Sequence, residues 1–169
     1  MERLIYENEQ MNNKKALLLL GCPEVPVQTS IALHLLDTLK RAGMQVAVAG
    51  TAAALELLNV SDPMGHYVDT AAMIHLDTCI ASLAEKRSDF DVCFIFVHND
   101  AGISYLATIQ GISKAKLVAI IFGNDAESLS GQIDVKCEKL VAKTVHNPLP
   151  LKKKLDDTIK EVKRWAVSN

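Results

Sequence analysis

The sequence has no long hydrophobic run, no secretory leader pattern and no excess of basic residues. Its longest apolar runs, such as residues 16–20 and 92–97, are far shorter than the roughly 20 residues of a membrane-spanning helix. Residues 1–15 are polar and charged where a secretory signal would be apolar. Lys and Arg total 18 and Asp and Glu total 20, which gives a formal net charge of -2. We therefore expect a cytoplasmic protein that binds neither membranes nor nucleic acid.

Cysteines are few and unpaired in the sequence. The four of them, Cys22, Cys79, Cys93 and Cys137, form no CxxC motif. Widely spaced cysteines in a cytoplasmic chain are expected to be reduced, and most such thiols act as small buried hydrophobes. Cys22 is the exception to test, because it follows an apolar run and precedes a helical pattern.

Several common motifs of α/β enzymes are missing. No GxGxxG follows the first apolar run, and Gly50 stands where a dinucleotide-binding protein has an acidic residue. The sequence also has no GxxxxGK[ST] motif of P-loop nucleotidases and no GxSxG motif of α/β-hydrolases. A cysteine phosphatase loop starting at Cys22 would need an arginine at position 28, where Gln28 stands.

The sequence does contain short apolar runs that alternate with helical patterns. The runs cover residues 16–20, 46–49, 92–97, 117–122 and 140–145. Helical patterns cover residues 28–42, 51–58, 76–85, 100–112, 126–133 and 149–166. Continuously apolar strands are typical of parallel sheets that are buried on both faces by helices.

This alternation predicts an α/β fold, a three-layer α/β/α sandwich with a mainly parallel five-stranded sheet. The favoured strand order is 2-1-3-4-5, and 3-2-1-4-5 is the alternative. Residues 1–13 are predicted to be a flexible extension and residues 14–169 a single domain. The polar segment 61–75 is either a lid over the carboxyl edge of the sheet or a simple connector between helices.

Reactive and polar residues gather in the loops that follow the predicted strands. Parallel α/β sheets bind ligands at this carboxyl edge, where successive crossovers diverge to opposite faces. Cys22 is a candidate nucleophile, because nearby helix N–H groups would stabilise its thiolate. His98 or His146 would serve as the base.

Other strand-end residues are candidates for ligand contacts or for helix caps. The ligand-binding candidates are Glu24, Gln28, Asn99, Asp100, Asn124, Asp125 and Asn147. Asp100 and Asp125 have an alternative structural role as N-caps of the following helices. Cys22, His98, His146 and Asp100 are also of the types that bind Zn or Fe, but no short-range ligand pair supports a metal site.

Five segments resemble a family of uncharacterised proteins from methanogenic archaea. They are LLLLGCPEVPVQ, VSDPMGHY, HNDAGISYLATIQGI, LVAIIFGNDAESL and VHNPLPL, and the resemblance extends over residues 16–163. The resemblance implies a Rossmann-like α/β/α fold, an archaeal cytoplasmic setting and a homodimer. It implies no activity, substrate or catalytic residue.

Two hypotheses about function follow. The first is an accessory protein that binds a small molecule, a cofactor or a metal at the carboxyl edge, with an anion held by helix N-termini as one form. The alternative is an enzyme in which Cys22 is the nucleophile or sulfur carrier and His98 or His146 assists it. The identity of any cofactor is left open.

Overall fold

A six-stranded parallel sheet forms the centre of the computed structural model, which describes residues 11–168, with side chains through Trp165. The strand order is β3-β2-β1-β4-β5-β6, and every neighbouring pair is parallel. The strands are β1 (Lys15–Leu20), β2 (Gln45–Gly50), β3 (Met73–His75), β4 (Val92–Val97), β5 (Lys116–Phe122) and β6 (Glu138–Ala142). The predicted α/β fold with a parallel sheet is confirmed.

Helices cover both faces of the sheet. They are α1 (Val27–Arg41), α2 (Ala52–Ser61), α3 (Leu76–Ala84), α4 (Asp100–Ile112), α5 (Ala126–Gln132) and α6 (Leu149–Ser168). Helices α1, α2 and α6 pack on one face, against residues such as Leu18 and Phe96. Helices α3, α4 and α5 pack on the other, against residues such as Leu19 and Val97. Because successive strand residues face opposite sides, a strand covered on both faces must be apolar throughout, and all six residues of β4 are buried.

The structure has one strand more than the sequence analysis predicts. The five predicted strands stand in the favoured order, and the short β3 adds to the edge beside β2, which makes the full order 3-2-1-4-5-6. Three residues are too few to give a recognisable apolar run. The last strand also begins and ends earlier than predicted, at Glu138 and Ala142.

The segment 61–75 joins α2 to the edge of the sheet. It leads from the end of α2 into β3, which runs parallel to β2. Strand β3 pairs with Val48, Ala49 and Gly50, so the segment ends beside the carboxyl-terminal half of β2. Its first turn is organised by the buried Asp62, whose carboxylate accepts hydrogen bonds from the backbone N–H groups of His66, Tyr67 and Val68 at 2.8–2.9 Å.

The predicted extension, residues 1–13, falls mostly outside the described residues, since the description begins at Met11. That residue is 4% exposed and belongs to the core on the α1 face. Among residues 11–168, none of the helices combines the length and the apolar composition that a membrane span requires.

Candidate functional site

The crossovers diverge between β1 and β4, which are neighbours in the sheet. Helix α1 follows β1 and covers one face, whereas α4 follows β4 and covers the other. Sheets of this type bind ligands in the crevice at the carboxyl ends of two such strands, and we use that name for this place in the fold. The crevice is bordered by residues 21–28 after β1 and residues 98–102 after β4.

The loop between β1 and α1 is held in one conformation by its own contacts. The Glu24 backbone N–H donates to the carbonyl of Cys22 at 2.9 Å. The buried Gln28 side chain, in the first turn of α1, donates from Nε2 to the Gly21 carbonyl at 3.1 Å. Pro26 adds a fixed φ just before the helix. These contacts stabilise the turn that places Glu24 at the crevice.

His98 lies at the end of β4 and is almost completely enclosed. Its side chain is 3% exposed, and its ring packs against Phe122 with 5.4 Å between ring centroids. Gly21 and Gly123 border the same side chain, since a Cβ atom at Gly21 would lie 3.9 Å from His98 Cε1 and one at Gly123 would lie 3.9 Å from His98 Cβ. The ring thus occupies a slot that the ends of three strands form.

Two polar side chains accompany His98 at the mouth of the crevice. Glu24 Oε2 lies 3.6 Å from His98 Nε2, and Asn99 Nδ2 lies 3.4 Å from both of those atoms. Glu24 comes from the loop after β1, and the other two residues come from the loop after β4. We call these three residues the Glu24–His98–Asn99 cluster.

Burial sets the charge of His98. Desolvation lowers the pKa of its imidazole, and the nearby Glu24 carboxylate raises it by less, so the net change is downward from 6.5. The ring is therefore mostly neutral at pH 7. Its Nε2 faces both the Glu24 carboxylate and the Asn99 amide nitrogen, so the tautomer of the ring decides whether Nε2 donates to Glu24 or accepts from Asn99.

Two buried polar side-chain atoms in this region have no hydrogen-bond partner among the described residues. They are His98 Nδ1 and Gln28 Oε1. Buried polar atoms without partners are uncommon in folded proteins, and each one calls for an explanation. Both belong to residues that lie next to Gly21, at the carboxyl end of β1.

Cys22 is the exposed cysteine of the four, whereas Cys79 and Cys93 are buried and Cys137 is half-buried. Burial raises the pKa of the Cys79 thiol to about 11 and also raises those of Cys93 and Cys137. Cys22 shares a tight turn with Glu24, but none of the hydrogen bonds of the described residues joins its Sγ to a histidine.

The loop between β6 and α6 brings His146 to the surface and gives Asn147 a structural role. His146 is exposed and makes no hydrogen bond or ion pair with another described residue. The Asn147 side-chain oxygen accepts a hydrogen bond from the Leu149 N–H at 3.1 Å. The backbone carbonyl of Asn147 accepts one from the Thr144 hydroxyl at 2.5 Å. The same loop is tied to α1, because the Val27 N–H donates to the Val145 carbonyl at 2.9 Å.

The helix caps differ from those predicted. Asn99, not Asp100, caps α4, because its extended backbone lets Oδ1 accept from the Gly102 N–H at 3.3 Å. Asp100 is the first residue of α4 and is exposed. Asp125 occupies the N-cap position of α5 but makes no side-chain cap, since its backbone is not extended there. The neighbouring Asn124 is exposed.

The metal hypothesis gains no support from these positions. Within the described part of the chain, no group of three or more His, Cys, Asp or Glu side chains is arranged to hold a metal ion. Cys22, His98, His146 and Asp100 therefore do not form such a group.

The sequence analysis missed the residues that enclose His98. Gly21 and Gly123 each stand directly after an apolar run, and a glycine at a strand end often marks a close approach of other groups. That feature could have identified both. Nothing in the sequence distinguishes Phe122 from other core residues, because its contact with His98 depends on strand order.

The sheet order and the polar crevice at its switch point define a Rossmann-like α/β/α protein with a candidate ligand site between β1 and β4. The chain belongs to the family described as Domain of unknown function (DUF1890), whose model matches residues 17–158. This confirms the resemblance to a family of uncharacterised archaeal proteins.

Two similar proteins illustrate the family. An uncharacterised protein of Methanocaldococcus jannaschii, MJ0452, is 30% identical over 149 residues, which are 85% of this chain and 95% of that protein. A solved structure described as "Structure of MT0777" is 41% identical and superposes with a TM-score of 0.79, and the match covers 87% of this chain and 97% of the other.

Proposed function

We propose that this protein is a small-molecule-binding accessory protein whose ligand lies in the crevice between β1 and β4. The observation that carries the proposal is the Glu24–His98–Asn99 cluster, in which two loops from different crossovers bring polar side chains together over an enclosed imidazole. A few convergent polar groups at the switch point of an α/β sheet are the usual form of a ligand site.

The packing of His98 supports a binding role over a purely structural one. A ring that only filled space between Gly21, Gly123 and Phe122 could be apolar, whereas His98 carries an unpartnered nitrogen into that slot. Leaving such an atom without a partner costs stability, and costs of this kind are commonly retained at functional sites.

The experiment is a fragment screen by two-dimensional ¹H–¹⁵N NMR on the full chain, with a library that contains neutral, cationic and anionic fragments. We expect the amide shifts caused by bound fragments to concentrate in residues 21–28 and 98–102. The variant His98→Phe replaces the imidazole with an apolar aromatic ring that has no nitrogen, so we expect it to weaken the binding of those fragments.

Two results would contradict the proposal. One is a screen in which no fragment at millimolar concentration shifts residues 21–28 or 98–102. The other is a set of bound fragments that all map to another surface. His146→Gln changes an exposed histidine outside the cluster and serves as the matched control.

A second candidate function is an enzyme with Cys22 as nucleophile or sulfur carrier and with His98 or His146 as its base. The observation that favours it is the position of Cys22, an exposed thiol on the turn that also presents Glu24 to His98. In such an enzyme the base would accept the thiol proton and the thiolate would attack the substrate.

Alkylation by iodoacetamide as a function of pH tests this second candidate. We expect one thiol per chain to react quickly, and Cys22→Ser to abolish that reaction, because the other three cysteines are buried or half-buried with raised pKa values. A nucleophilic Cys22 should react faster at neutral pH than free glutathione does. A rate no higher than that of glutathione would remove the basis of the nucleophile hypothesis.

We also propose that the protein acts in the cytoplasm, as a homodimer, without binding nucleic acid. The net charge of -2 supports the last point, because nucleic-acid binders usually carry a basic excess. The homodimer is implied by the resemblance to the family.

A further inference from the structure

We propose that a basic pocket at the amino edge of the sheet binds a small polyanion, a molecule with two or more phosphate or carboxylate groups. The pocket has a volume of about 430 Å³ and lies at the amino ends of β1, β4 and β5, at the opposite edge from the crevice. Its basic side chains are those of Lys15, Lys86, Arg87 and Lys114. We call it the amino-edge pocket, and it is a second site that does not depend on the proposed ligand at the carboxyl edge.

The charge of the amino-edge pocket is opposite in sign to that of the whole chain. The chain has a formal net charge of -2, whereas four basic side chains and one acidic side chain, that of Asp89, line the pocket. The four basic residues come from three separate segments: the start of β1, the turn after α3 and the turn after α4. A concave site lined by charges of one sign attracts ligands of the opposite sign.

The size and the composition of the pocket favour a small molecule. Sites for small molecules commonly have volumes of roughly 300–1,000 Å³, a range that includes this pocket. Leu83, which is 1% exposed, and the half-buried Ile112 add apolar surface between the charged side chains. Lysine and arginine side chains only donate hydrogen bonds, so the ligand must supply the acceptors.

The three lysine ammonium groups of the pocket are left without ionic partners. Among the described residues, Lys15, Lys86 and Lys114 form no ion pair and donate no hydrogen bond from Nζ, and the charge of Lys114 acts on Asp89 without forming an ion pair. Arg87 differs, because its Nε donates to Glu85 at 2.6 Å. Three unpartnered cations around one pocket repel each other, and a bound polyanion would offset that repulsion.

A lysine that serves to cap a helix looks different in this structure. Lys139 Nζ donates to the carbonyls of Ser130 and Ile133 at 3.0 and 2.8 Å, at the end of α5, where it satisfies groups that the helix leaves unpaired. The pocket lysines follow the ends of α3 and α4 but make no such bonds to the carbonyls there. Hydrogen bonding to helix ends therefore does not account for them.

Nearby carboxylates fix the backbone of the pocket. Asp89 accepts hydrogen bonds from the Ser113 hydroxyl at 2.5 Å and from the Lys114 N–H at 3.2 Å. Asp91 accepts one from the Lys15 N–H at 2.7 Å. These bonds join the turn after α4 and the start of β1 to the segment between α3 and β4. The backbone at Lys15 and Lys114 is thus held in place before a ligand binds, which reduces the entropy cost of binding.

Lys86 occupies a backbone conformation that favours glycine. Its φ is 56°, and it is the one non-glycine residue of the described chain with a positive φ. It directly follows the C-cap of α3, where its N–H donates to the Leu83 carbonyl and the Arg87 N–H donates to the Ser82 carbonyl. Glycine is the usual residue at this position of a helix end. A lysine there costs stability, and strain of this kind clusters at functional sites.

The test is an NMR titration of the full chain with pyrophosphate, citrate and acetate at constant ionic strength. We expect pyrophosphate or citrate to shift amides in residues 85–91 and 112–116, and the comparison of these two distinguishes a phosphate ligand from a carboxylate ligand. Singly charged acetate should leave the same amides unchanged. Higher salt should weaken the binding, because it screens the lysine charges.

Three variants examine the pocket lysines with whichever polyanion binds more tightly. Lys114→Gln should raise its dissociation constant by about threefold or more, because it removes one of the unpartnered charges. Lys153→Gln removes the same charge from an exposed position on α6 and should leave the constant unchanged. Lys86→Gly should weaken binding to a similar extent and also raise the urea midpoint, because glycine favours the left-handed conformation. A purely structural Lys86 would not give this combination.

The inference is overturned if neither pyrophosphate nor citrate at millimolar concentration shifts residues 85–91 or 112–116, or if acetate shifts them equally. It is also overturned if Lys153→Gln weakens binding as much as Lys114→Gln does, or if both Lys114→Gln and Lys86→Gly bind as the wild type does. The proposed function is tested at residues 21–28 and 98–102, so each site can fail without the other.

Discussion

His98 is an example of a residue whose type is visible in the sequence but whose environment is not. It follows a strand, which places it at the carboxyl edge, as predicted. Its enclosure depends on Gly21, Gly123 and Phe122, which come from two other strands. Burial against those neighbours lowers the pKa of the imidazole, although the nearby Glu24 carboxylate opposes the change.

The lowered pKa of His98 predicts a loss of stability in mild acid. The unfolded chain protonates this residue near pH 6.5, and the folded protein does so at lower pH. Between the two pKa values the unfolded state binds more protons than the folded state. The stability that neutral His98 contributes is therefore complete above pH 6.5 and is lost as the pH falls toward the folded pKa.

Urea unfolding of wild type and His98→Phe between pH 7.5 and pH 5 measures this effect. We expect the wild type to lose more stability across this range than His98→Phe, by about 1.4 kcal/mol for each unit by which folding lowers the pKa. The control His146→Gln should follow the wild type. Identical pH dependence in wild type and His98→Phe would contradict the expected contribution of His98.

At the scale of elements, α4 shows how closely a helix must approach the sheet to build the crevice. Its first turn is capped by Asn99 and lies directly on β4. A Cβ atom at Gly102 would lie 2.8 Å from Val97 Cα and 3.0 Å from the Phe96 carbonyl oxygen. The absence of a side chain at Gly102 therefore sets the distance between α4 and β4 and positions Asn99.

Two glycines of α4 give a matched prediction. Gly102→Ala should destabilise the protein by about 1–3 kcal/mol, because the new methyl group meets backbone atoms that cannot move aside. Gly111→Ala should stabilise it by about 0.5–1 kcal/mol, because the new Cβ would meet nothing within 4 Å beyond its chain neighbours and the adjacent helix backbone, and alanine favours the helix. Urea unfolding of the two variants checks both values.

The Gly102 interpretation would be wrong if both alanine variants changed the free energy of unfolding by the same amount. Because Asn99 depends on the same turn, we also expect Gly102→Ala to weaken the binding of fragments at residues 21–28 and 98–102, whereas Gly111→Ala should not.

At the scale of the whole molecule, the exposed apolar side chains are unevenly distributed. Leu57, Val60, Met64 and Tyr67 are 39%, 77%, 76% and 39% exposed, and they lie on α2 and the loop that follows it. We call these four residues the α2 patch. Clustered exposed apolar residues often mark contacts with another protein, and a two-fold dimer uses the same patch of both copies.

The predicted homodimer can be tested at this patch. We expect sedimentation velocity to give about twice the monomer mass of 18.4 kDa for the wild type. We expect Val60→Glu to reduce that mass to the monomer value, because it places a charge in an apolar contact. Leu149→Glu changes an apolar residue of similar exposure on α6 and is the control.

A wild type that sediments as a monomer at all concentrations would contradict the homodimer. A Val60→Glu variant that remains dimeric would place the interface elsewhere on the molecule.

The sequence by itself determined the layers of the fold and the loops that carry the chemistry. The apolar runs 16–20, 92–97 and 117–122 are uninterrupted, and only a strand covered on both faces requires such a run, so the parallel sheet and its helices could be predicted. The position of a residue directly after a strand then assigned Glu24, His98 and Asn99 to the carboxyl edge.

Only the tertiary structure decided which of those residues meet. Strand β3 is too short to have a pattern, and its place in the sheet comes from pairing with β2. Cys22 and His146 stand at the same edge as His98 but make no hydrogen bond with it, whereas Glu24 reaches it, because β1 and β4 are neighbours and their loops face each other. The periodicity of apolar residues along a chain indicates which faces are buried. Contacts between distant loops depend instead on the order of the strands and on how closely the helices approach them, and no local sequence pattern predicts either.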